Sequence, residues 1–261
     1  MSQIPAIDVH AHYGRSAGTK PAQVHEFESG DAAEVVRRAR LAGVRLTIVS
    51  PLTAVLPRGG ADPVAGNDEA ARVVADFPEL LQWVVVDPLK PKTYEQAAAL
   101  LGRPKCAGMK IHPEEHRYPI NDHGRKIFEF AEKHHAIIET HSGEQQSLPS
   151  DFVKFANDFP TVRLILSHLG CGWDGDLSHQ VRAIQQSRHG NIFTDTSSAR
   201  SITPNLIEWA VREIGADHIL FGTDTPLYFT PMQRARIDHA DLRESEKRLI
   251  LHDNAAKLFG V

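Results

Sequence analysis

Short apolar runs rich in β-branched residues alternate with amphipathic segments along the whole chain. Such runs, bounded by turn residues, are typical of buried strands, whereas apolar positions spaced three and four residues apart indicate helices. The predicted strands are Ile4–His10, Val44–Ser50, Leu81–Asp87, Ala107–His112, Ala136–His141, Val162–His168, Asn191–Thr196 and His218–Asp224. The predicted helices are Asp31–Ala42, Asn67–Phe77, Thr93–Leu101, Gly124–His134, Leu148–Asn157, Asp176–His189, Pro204–Ile214 and Arg243–Phe259.

This alternation of strand and helix predicts an α/β protein with a parallel sheet and right-handed crossovers. Eight strands favour closure into a (β/α)8 TIM barrel over an open doubly wound sheet. The length of 261 residues suits one such barrel, so we expect a single domain over residues 1–261. The first two strand–helix units are longer than the others, with extra residues at 13–30 and 51–66 that are rich in Gly and Pro. We expect these to be long loops over the active face and candidates for a lid.

Composition excludes several classes of function. The formal charge of −4 and the scattered basic residues give no footprint for a nucleic-acid partner. Two cysteines, Cys106 and Cys171, do not indicate a disulfide framework. No apolar stretch approaches the roughly 20 residues of a membrane span, and the first residues do not resemble a signal peptide. We therefore expect a cytoplasmic protein with a small-molecule substrate, and a homodimer from the frequency of twofold symmetry.

Metal-binding side chains close several predicted strands. His10 and His12 lie two residues apart at the end of the first strand, and His141, His168 and Asp224 end three others. The C-terminal ends of barrel strands converge on one face, where the chemistry of such folds lies. Histidines plus a carboxylate, with one position left for water, are the pattern of a catalytic metal site. The donor set predicts one divalent ion, zinc first and manganese as the alternative.

These residues lie in motifs that resemble the amidohydrolase superfamily, in particular the amidohydrolase-related group that includes aminocarboxymuconate-semialdehyde decarboxylase. The similarity covers nearly the whole chain in the expected order, and it is specific for the superfamily but not for a substrate. The motifs are Asp8-Val9-His10-Ala11-His12, Gly108-Met109-Lys110-Ile111-His112-Pro113, Glu139-Thr140-His141-Ser142-Gly143, Leu166-Ser167-His168-Leu169-Gly170 and Leu220-Phe221-Gly222-Thr223-Asp224-Thr225-Pro226.

The resemblance implies a role for each strand-end residue. His10, His12 and His141 would be metal ligands, with Asp224 as a fourth ligand or its neighbour. Asp224 would also take a proton from metal-bound water, and His168 would act beside the metal as an acid, a base or a stabiliser of the transition state. A metal can lower the pKa of bound water from about 16 to near 7, which makes such a base effective at neutral pH.

Four further residues are candidates for substrate binding. Lys110 corresponds to a lysine that is carbamylated and bridges two metals in some branches of the superfamily, but His112 two residues later favours an ammonium near the substrate and a single metal. The alternative for Lys110 is a salt bridge inside the barrel. Arg200 is predicted to clamp a substrate carboxylate or to be a solvated loop residue. Trp173 is predicted to wall the pocket or to pack.

Three functions are compatible with these residues. The first is a metal-dependent hydrolase of a small carboxylate-bearing lactone, amide or ester. The second is a metal-dependent nonoxidative decarboxylase, a carboxy-lyase of the same family. The compact chain favours the hydrolase, because the known decarboxylases tend to be longer. The third is an inactive barrel that serves as a binding or scaffold protein, since fold alone does not prove activity.

Overall fold

Eight parallel strands pair in chain order in the computed structural model, which describes residues 4–261. The strands are β1 (Ala6–Tyr13), β2 (Val44–Pro51), β3 (Leu80–Val85), β4 (Cys106–Ile111), β5 (Ile138–Thr140), β6 (Leu164–Leu166), β7 (Ile192–Asp195) and β8 (Ile219–Leu220). Every predicted strand is present. β5, β6 and β8 are shorter than predicted, so their terminal His141, His168 and Asp224 lie just beyond the regular strands.

Backbone hydrogen bonds between β1 and the segment around β8 close the sheet into a barrel. The amide of Val9 donates to the carbonyl of Phe221 over 2.9 Å, and the amide of Asp224 donates to the carbonyl of His10 over 2.8 Å. The first strand therefore contacts the last, and the predicted (β/α)8 barrel is confirmed.

Helices follow the strands around the outside of the barrel. They are α1 (Ala22–Phe27), α2 (Ala32–Leu41), α3 (Leu52–Val55), α4 (Pro63–Asp76), α5 (Pro91–Leu100), α6 (Pro113–His116), α7 (Ile120–Lys133), α8 (Pro149–Asp158), α9 (His179–Gln185), α10 (Leu206–Ile214), α11 (Thr230–Asp238), α12 (Glu244–Arg248) and α13 (Asn254–Phe259). Each predicted helix is present, and α1, α3, α6 and α11 were not predicted. Among residues 4–261, no helix combines the length and the apolar character needed to cross a membrane.

Two helices, α9 and α10, begin two or more residues later than predicted. The side chain of Asp176 accepts a hydrogen bond from the amide of Ser178 over 2.9 Å, which forms a turn before α9 instead of capping it. Pro204 precedes α10 because Asn205 adopts the left-handed conformation, with φ of 67°, immediately before the helix begins. In contrast, Asp31 caps α2 by accepting from the amide of Glu34.

The lower part of the barrel interior is apolar. Trp83 of β3 reaches across to β1, where its indole Nε1 donates to the carbonyl of Val9 over 2.8 Å. The ring of Phe259, from α13, packs edge-on against Trp83 with the centroids 5.6 Å apart. The buried members of this apolar layer are Ile7, Val9, Leu46, Ile48, Leu81, Trp83, Ile137, Ile165, Leu220 and Ala255. Burial of each large apolar side chain contributes about 1.5–3 kcal/mol.

A β-bulge in β1 separates this apolar layer from the histidines. The register of β1 against β2 shifts between Asp8 and Ala11. Bulges of this kind re-aim side chains next to active sites. Val9 consequently belongs to the apolar layer, while His10 and His12 both line the cavity above it.

Candidate active site

A cavity of about 570 Å³ opens at the C-terminal ends of the strands. Its floor contains the strand-end residues His10, His12, His141, His168 and Asp224. Its walls include residues 16–20 from the loop after β1 and residues 52 and 55–58 from the segment after β2, together with His112, Glu115, Arg117, Cys171, Ser198, Leu227 and Tyr228. The two long loops therefore lie over the active face, as the sequence predicted.

His10, His12 and Asp224 converge at the floor of the cavity. Asp224 Oδ1 lies 3.2 Å from His12 Nε2 and 3.4 Å from His10 Nε2, and one donor atom of each residue falls within 4.8 Å of the others. On the far side of its ring, His12 Nδ1 donates to the carbonyl of Ser50 over 3.1 Å. The Nε2 atoms thus face a carboxylate, an arrangement that fits a cation held between them.

The charges around His10 also fit a cation at this place. Three buried carboxylates surround this ring, those of Asp195, Asp224 and Glu139. The ammonium of Lys110 pairs with Glu139. Burial opposes protonation of His10, but Glu139 and Asp195 outweigh it and raise the pKa of His10 well above its usual value. Glu139 Oε2 is buried and finds no hydrogen-bond partner among residues 4–261. This surplus of negative charge and the donor set fit one divalent cation held by His10, His12 and Asp224.

His141 does not share this convergence. Its Nε2 lies 2.9 Å from Glu144 Oε1, and its ring stacks on His112 with centroids 4.4 Å apart and planes 10° from parallel. His112 itself lines the cavity. The role of His141 as a third histidine ligand stays a prediction, and it requires the contact with Glu144 to open.

His168 lies beside His10, with the two ring centroids 4.7 Å apart. Burial, followed by the nearby charge of His10, lowers the pKa of His168 to about 3, so the ring is neutral at pH 7. Asp224 behaves in the opposite way, because its hydrogen bonds to His10 and His12 outweigh burial and hold its pKa well below the usual value. Both residues adopt left-handed backbone conformations, with φ of 71° and 55°. Backbone strain of this kind is concentrated at functional sites.

Lys110 forms a buried salt bridge inside the barrel, which was the alternative prediction for this residue. Its Nζ donates to Glu139 Oε1 over 2.7 Å and lies 3.2 Å from His10 Nε2. The side chain is only 1% exposed and does not line the cavity. The ammonium therefore lies beneath the histidines of the floor.

Neither Arg200 nor Trp173 lines the cavity, and contact of either residue with a substrate stays a prediction. The hydroxyl of Ser198 accepts from the amide of Arg200 over 2.9 Å, and this short turn after β7 carries the Arg200 side chain to the surface. Trp173 is 57% exposed in the loop after β6.

Arg58, which sequence reasoning missed, takes a position at the cavity wall. Its guanidinium donates to Glu115 Oε1 over 3.0 Å and to Glu144 Oε2 over 3.3 Å, which connects the loops after β2, β4 and β5. A single arginine in a loop rich in Gly and Pro has no periodicity that would indicate its direction. Glu144 was missed for the same reason.

Asp195 and Ser197 were also missed, although a signal for them exists. Asp195 is the last residue of β7 and Ser197 follows two residues later, the same spacing as His10 and His12 near the end of β1, and side chains two apart point to one face of a strand. Both are fully buried beside His10 and His168. Asp195 forms a second group of convergent donor atoms with these two histidines.

Comparisons with known proteins agree with the barrel fold. The chain is similar to the solved structure of 5-carboxyvanillate decarboxylase from Sphingomonas paucimobilis, with a TM-score of 0.78 and 15% identity over 99% of this chain and 100% of that chain. It is similar to dihydroxybenzoic acid decarboxylase from Polaromonas sp. JS666, solved with manganese and 2-nitroresorcinol, with a TM-score of 0.74 and 16% identity over 99% and 97% of the two chains. For 2,6-dihydroxybenzoate decarboxylase from Rhizobium, the TM-score is 0.72 with 14% identity over 99% of both chains.

At these identities the solved structures show a shared fold. A search of curated protein sequences gave no match. The family model described as Amidohydrolase matches residues 7–261, nearly the full chain, in agreement with the resemblance seen in the strand-end motifs. The chain therefore belongs to the amidohydrolase family.

Proposed function

We propose that this protein is a metal-dependent nonoxidative decarboxylase of a small aromatic carboxylic acid. The observation that carries the proposal is one cavity with a metal-type donor set at its floor and guanidinium groups in its wall. Its volume of about 570 Å³ falls within the range used for small-molecule ligands. The similar solved structures named above include enzymes that decarboxylate aromatic acids, which supports this reaction over others of the family.

The cavity wall supplies the contacts expected for a carboxylate. Arg58 and Arg117 both line it. Arg117 donates to the carbonyl of Arg58 over 3.4 Å, and no carboxylate pairs with Arg117 among residues 4–261. A guanidinium can hold a carboxylate through two parallel hydrogen bonds. Leu52, Val55 and Leu56 provide an apolar wall for the rest of an aromatic ring.

His10, His12 and Asp224 would hold the divalent ion. When bound, the ion would stabilise negative charge that develops on the substrate. Manganese and zinc both accept nitrogen and oxygen donors, and manganese is the ion bound in the Polaromonas relative. The donor set therefore suits either ion.

The proposed reaction breaks the bond between the ring carbon and the carboxylate. The electron pair stays on the ring carbon, carbon dioxide leaves, and a proton takes the vacated position. That proton would come from a hydroxyl group of the substrate or from water, and Asp224 and His168, which both line the cavity, are the groups proposed to accept it and pass it to the ring carbon. Transfer by a positioned side chain contributes typically about 10²–10⁴-fold to such rates.

Hydrolysis of a carboxylated lactone, amide or ester is the competing function. The same carboxylate could direct a water molecule, so the donor set alone does not decide between the reactions. The compactness of the chain, which favoured hydrolysis in the sequence, gives no reason to prefer it, because the match to the Sphingomonas decarboxylase spans 100% of that chain.

The test is a product assay of the purified full-length protein on a panel of hydroxylated benzoates and carboxylated lactones. Release of carbon dioxide that requires manganese or zinc, with the decarboxylated arene as co-product, would support the proposal. His10→Ala should abolish this release, and Arg117→Met should raise KM more than it lowers kcat. Incorporation of labelled oxygen from water into a ring-opened product, without carbon dioxide, would instead establish the hydrolase.

A further inference from the structure

Asp195 is a buried carboxylate shared by two histidines of the site. Its Oδ2 accepts from His10 Nδ1 over 3.0 Å. Its Oδ1 accepts from the backbone amides of His168, over 3.1 Å, and of Ser197, over 3.0 Å. The hydroxyl of Ser197 also contacts Oδ1 and lies 2.8 Å from His168 Nδ1. We infer that Asp195 and Ser197 are positioning residues that determine which ring nitrogen of His10 and of His168 faces the cavity.

The direction of these hydrogen bonds follows from the number of protons available. An ionised carboxylate only accepts, so the single hydroxyl proton of Ser197 is donated to Asp195. The Ser197 oxygen can then only accept from His168, which places the proton of the neutral ring on Nδ1. When the ring holds this single proton, His168 Nε2 carries a lone pair and can accept a proton or bind a cation.

The same reasoning applies to His10. Its Nδ1 faces the carboxylates of Asp195, at 3.0 Å, and Glu139, at 2.8 Å, so Nδ1 is the protonated nitrogen. His10 Nε2 lies 3.4 Å from Asp224 Oδ1 and 3.2 Å from Lys110 Nζ, and it is the nitrogen that would bind a cation in exchange for any proton it carries. Carboxylates in this position fix the ring orientation and tautomer of metal-binding histidines in proteins. The inference thus rests on the metal centre proposed above.

Close packing holds this arrangement in place. A side chain at Gly222 would bring its Cβ to 3.0 Å from His10 Cβ and 3.1 Å from Asp195 Cγ. Glycine at this position lets His10 and Asp195 approach without a gap. Side chains fixed by packing in this way are preorganised for binding.

Metal titration of the full-length protein tests the role of Asp195. In Asp195→Asn, either orientation of the amide places its NH₂ group against an N–H or O–H donor. We expect manganese, titrated calorimetrically into the metal-free protein, to bind about 10–100-fold more weakly. An affinity within about threefold of the parent, in a variant that circular dichroism shows to be folded, would overturn the inference.

The tautomer of His168 tests the role of Ser197. The variant Ser197→Ala removes a single oxygen atom. ¹⁵N NMR of histidine-labelled, metal-free protein should show His168 protonated at Nδ1, and Ser197→Ala should introduce the Nε2-protonated form. Ser197→Thr, which keeps a hydroxyl, should restore the parent spectrum. Ser201→Ala is the matched control, because that buried hydroxyl instead lies 2.9 Å from Gln233 Oε1 and 2.7 Å from the carbonyl oxygen of Ser198.

An unchanged His168 spectrum in Ser197→Ala would contradict the inference, as would the same change in Ser201→Ala. Neither readout uses a substrate. Failure of the decarboxylase proposal would leave both results standing, and failure of the positioning roles would leave the product assay unaffected.

Discussion

The lower and upper halves of the barrel interior are built from the same strands but differ in chemistry. Along β5 the step from Ile137 to Glu139 leads from the apolar layer around Trp83 to the charged layer beneath the cavity. The step from Ile165 to Ser167 does the same along β6. Two residues of strand, or about 7 Å, separate the regions. The lower half is a buried apolar core, whereas the upper half buries charges that reduce stability and supply function.

The largest expected effect is on chemistry in the upper half. Asp224→Asn should keep the fold and a substantial part of the bound metal, because the amide oxygen can still serve as a ligand. It should lower kcat by roughly 10²–10⁴-fold, since it removes a titratable group. Elemental analysis beside the product assay would measure both. Full activity in this variant would show that Asp224 moves no proton.

The lower half should respond in the opposite way. Trp83→Ala removes a fully buried ring and should lower the free energy of unfolding by about 3–5 kcal/mol. Its affinity for manganese in the folded state should remain within about threefold of the parent. Urea unfolding and calorimetric titration would check the two values. A large loss of metal affinity would show that the layers are not independent.

Lys110 sharpens the comparison, because its ammonium lies between the two halves. Lys110→Met leaves Glu139 buried without its lysine partner and should destabilise the protein by about 3–5 kcal/mol. Lys110→Met combined with Glu139→Gln removes both charges and should destabilise it less than Lys110→Met alone. Urea unfolding of the parent, Lys110→Met, Glu139→Gln and the double variant would give the coupling energy. Equal losses in the single and double variants would mean that Lys110 contributes packing alone.

The smallest effect expected is in the pH dependence of stability. Burial would raise the pKa of Glu139, but His10 and Lys110 outweigh it and lower the pKa to about 2. The folded pKa is below the unfolded one of about 4.5, so this stabilisation is present above pH 4.5 and is lost as the pH falls toward 2. Glu139→Gln should flatten the stability profile in that window. Parallel profiles for parent and variant would contradict the assignment.

The sequence predicted those features that depend on local pattern and on barrel topology. The strand ends bring His10, His12 and Asp224 together because parallel strands of a barrel open on one face. The three residues come from opposite ends of the chain, yet their strand positions alone were enough to predict the cluster.

Features that depend on loop direction were not predictable. Arg200 and Arg58 both follow strands in polar loops, but a turn capped by Ser198 carries Arg200 outward while two glutamates hold Arg58 at the cavity. Lys110 was ambiguous for another reason. Its partner Glu139 lies on the neighbouring strand, and only the register of β4 against β5 pairs the two residues.

The junction between β1 and the segment after β8 has a consequence for unfolding. Asp8 accepts from the hydroxyl of Thr223 over 2.5 Å, and the two residues are 215 positions apart. His10 and Asp224 lie on the two sides of this junction, so an ion bound between them would connect the ends of a very long loop. A cross-link that closes a long loop restricts the unfolded chain and reduces its entropy. Loading with metal should therefore slow the opening of the barrel itself, and metal supply would set the lifetime of the folded protein as well as its activity.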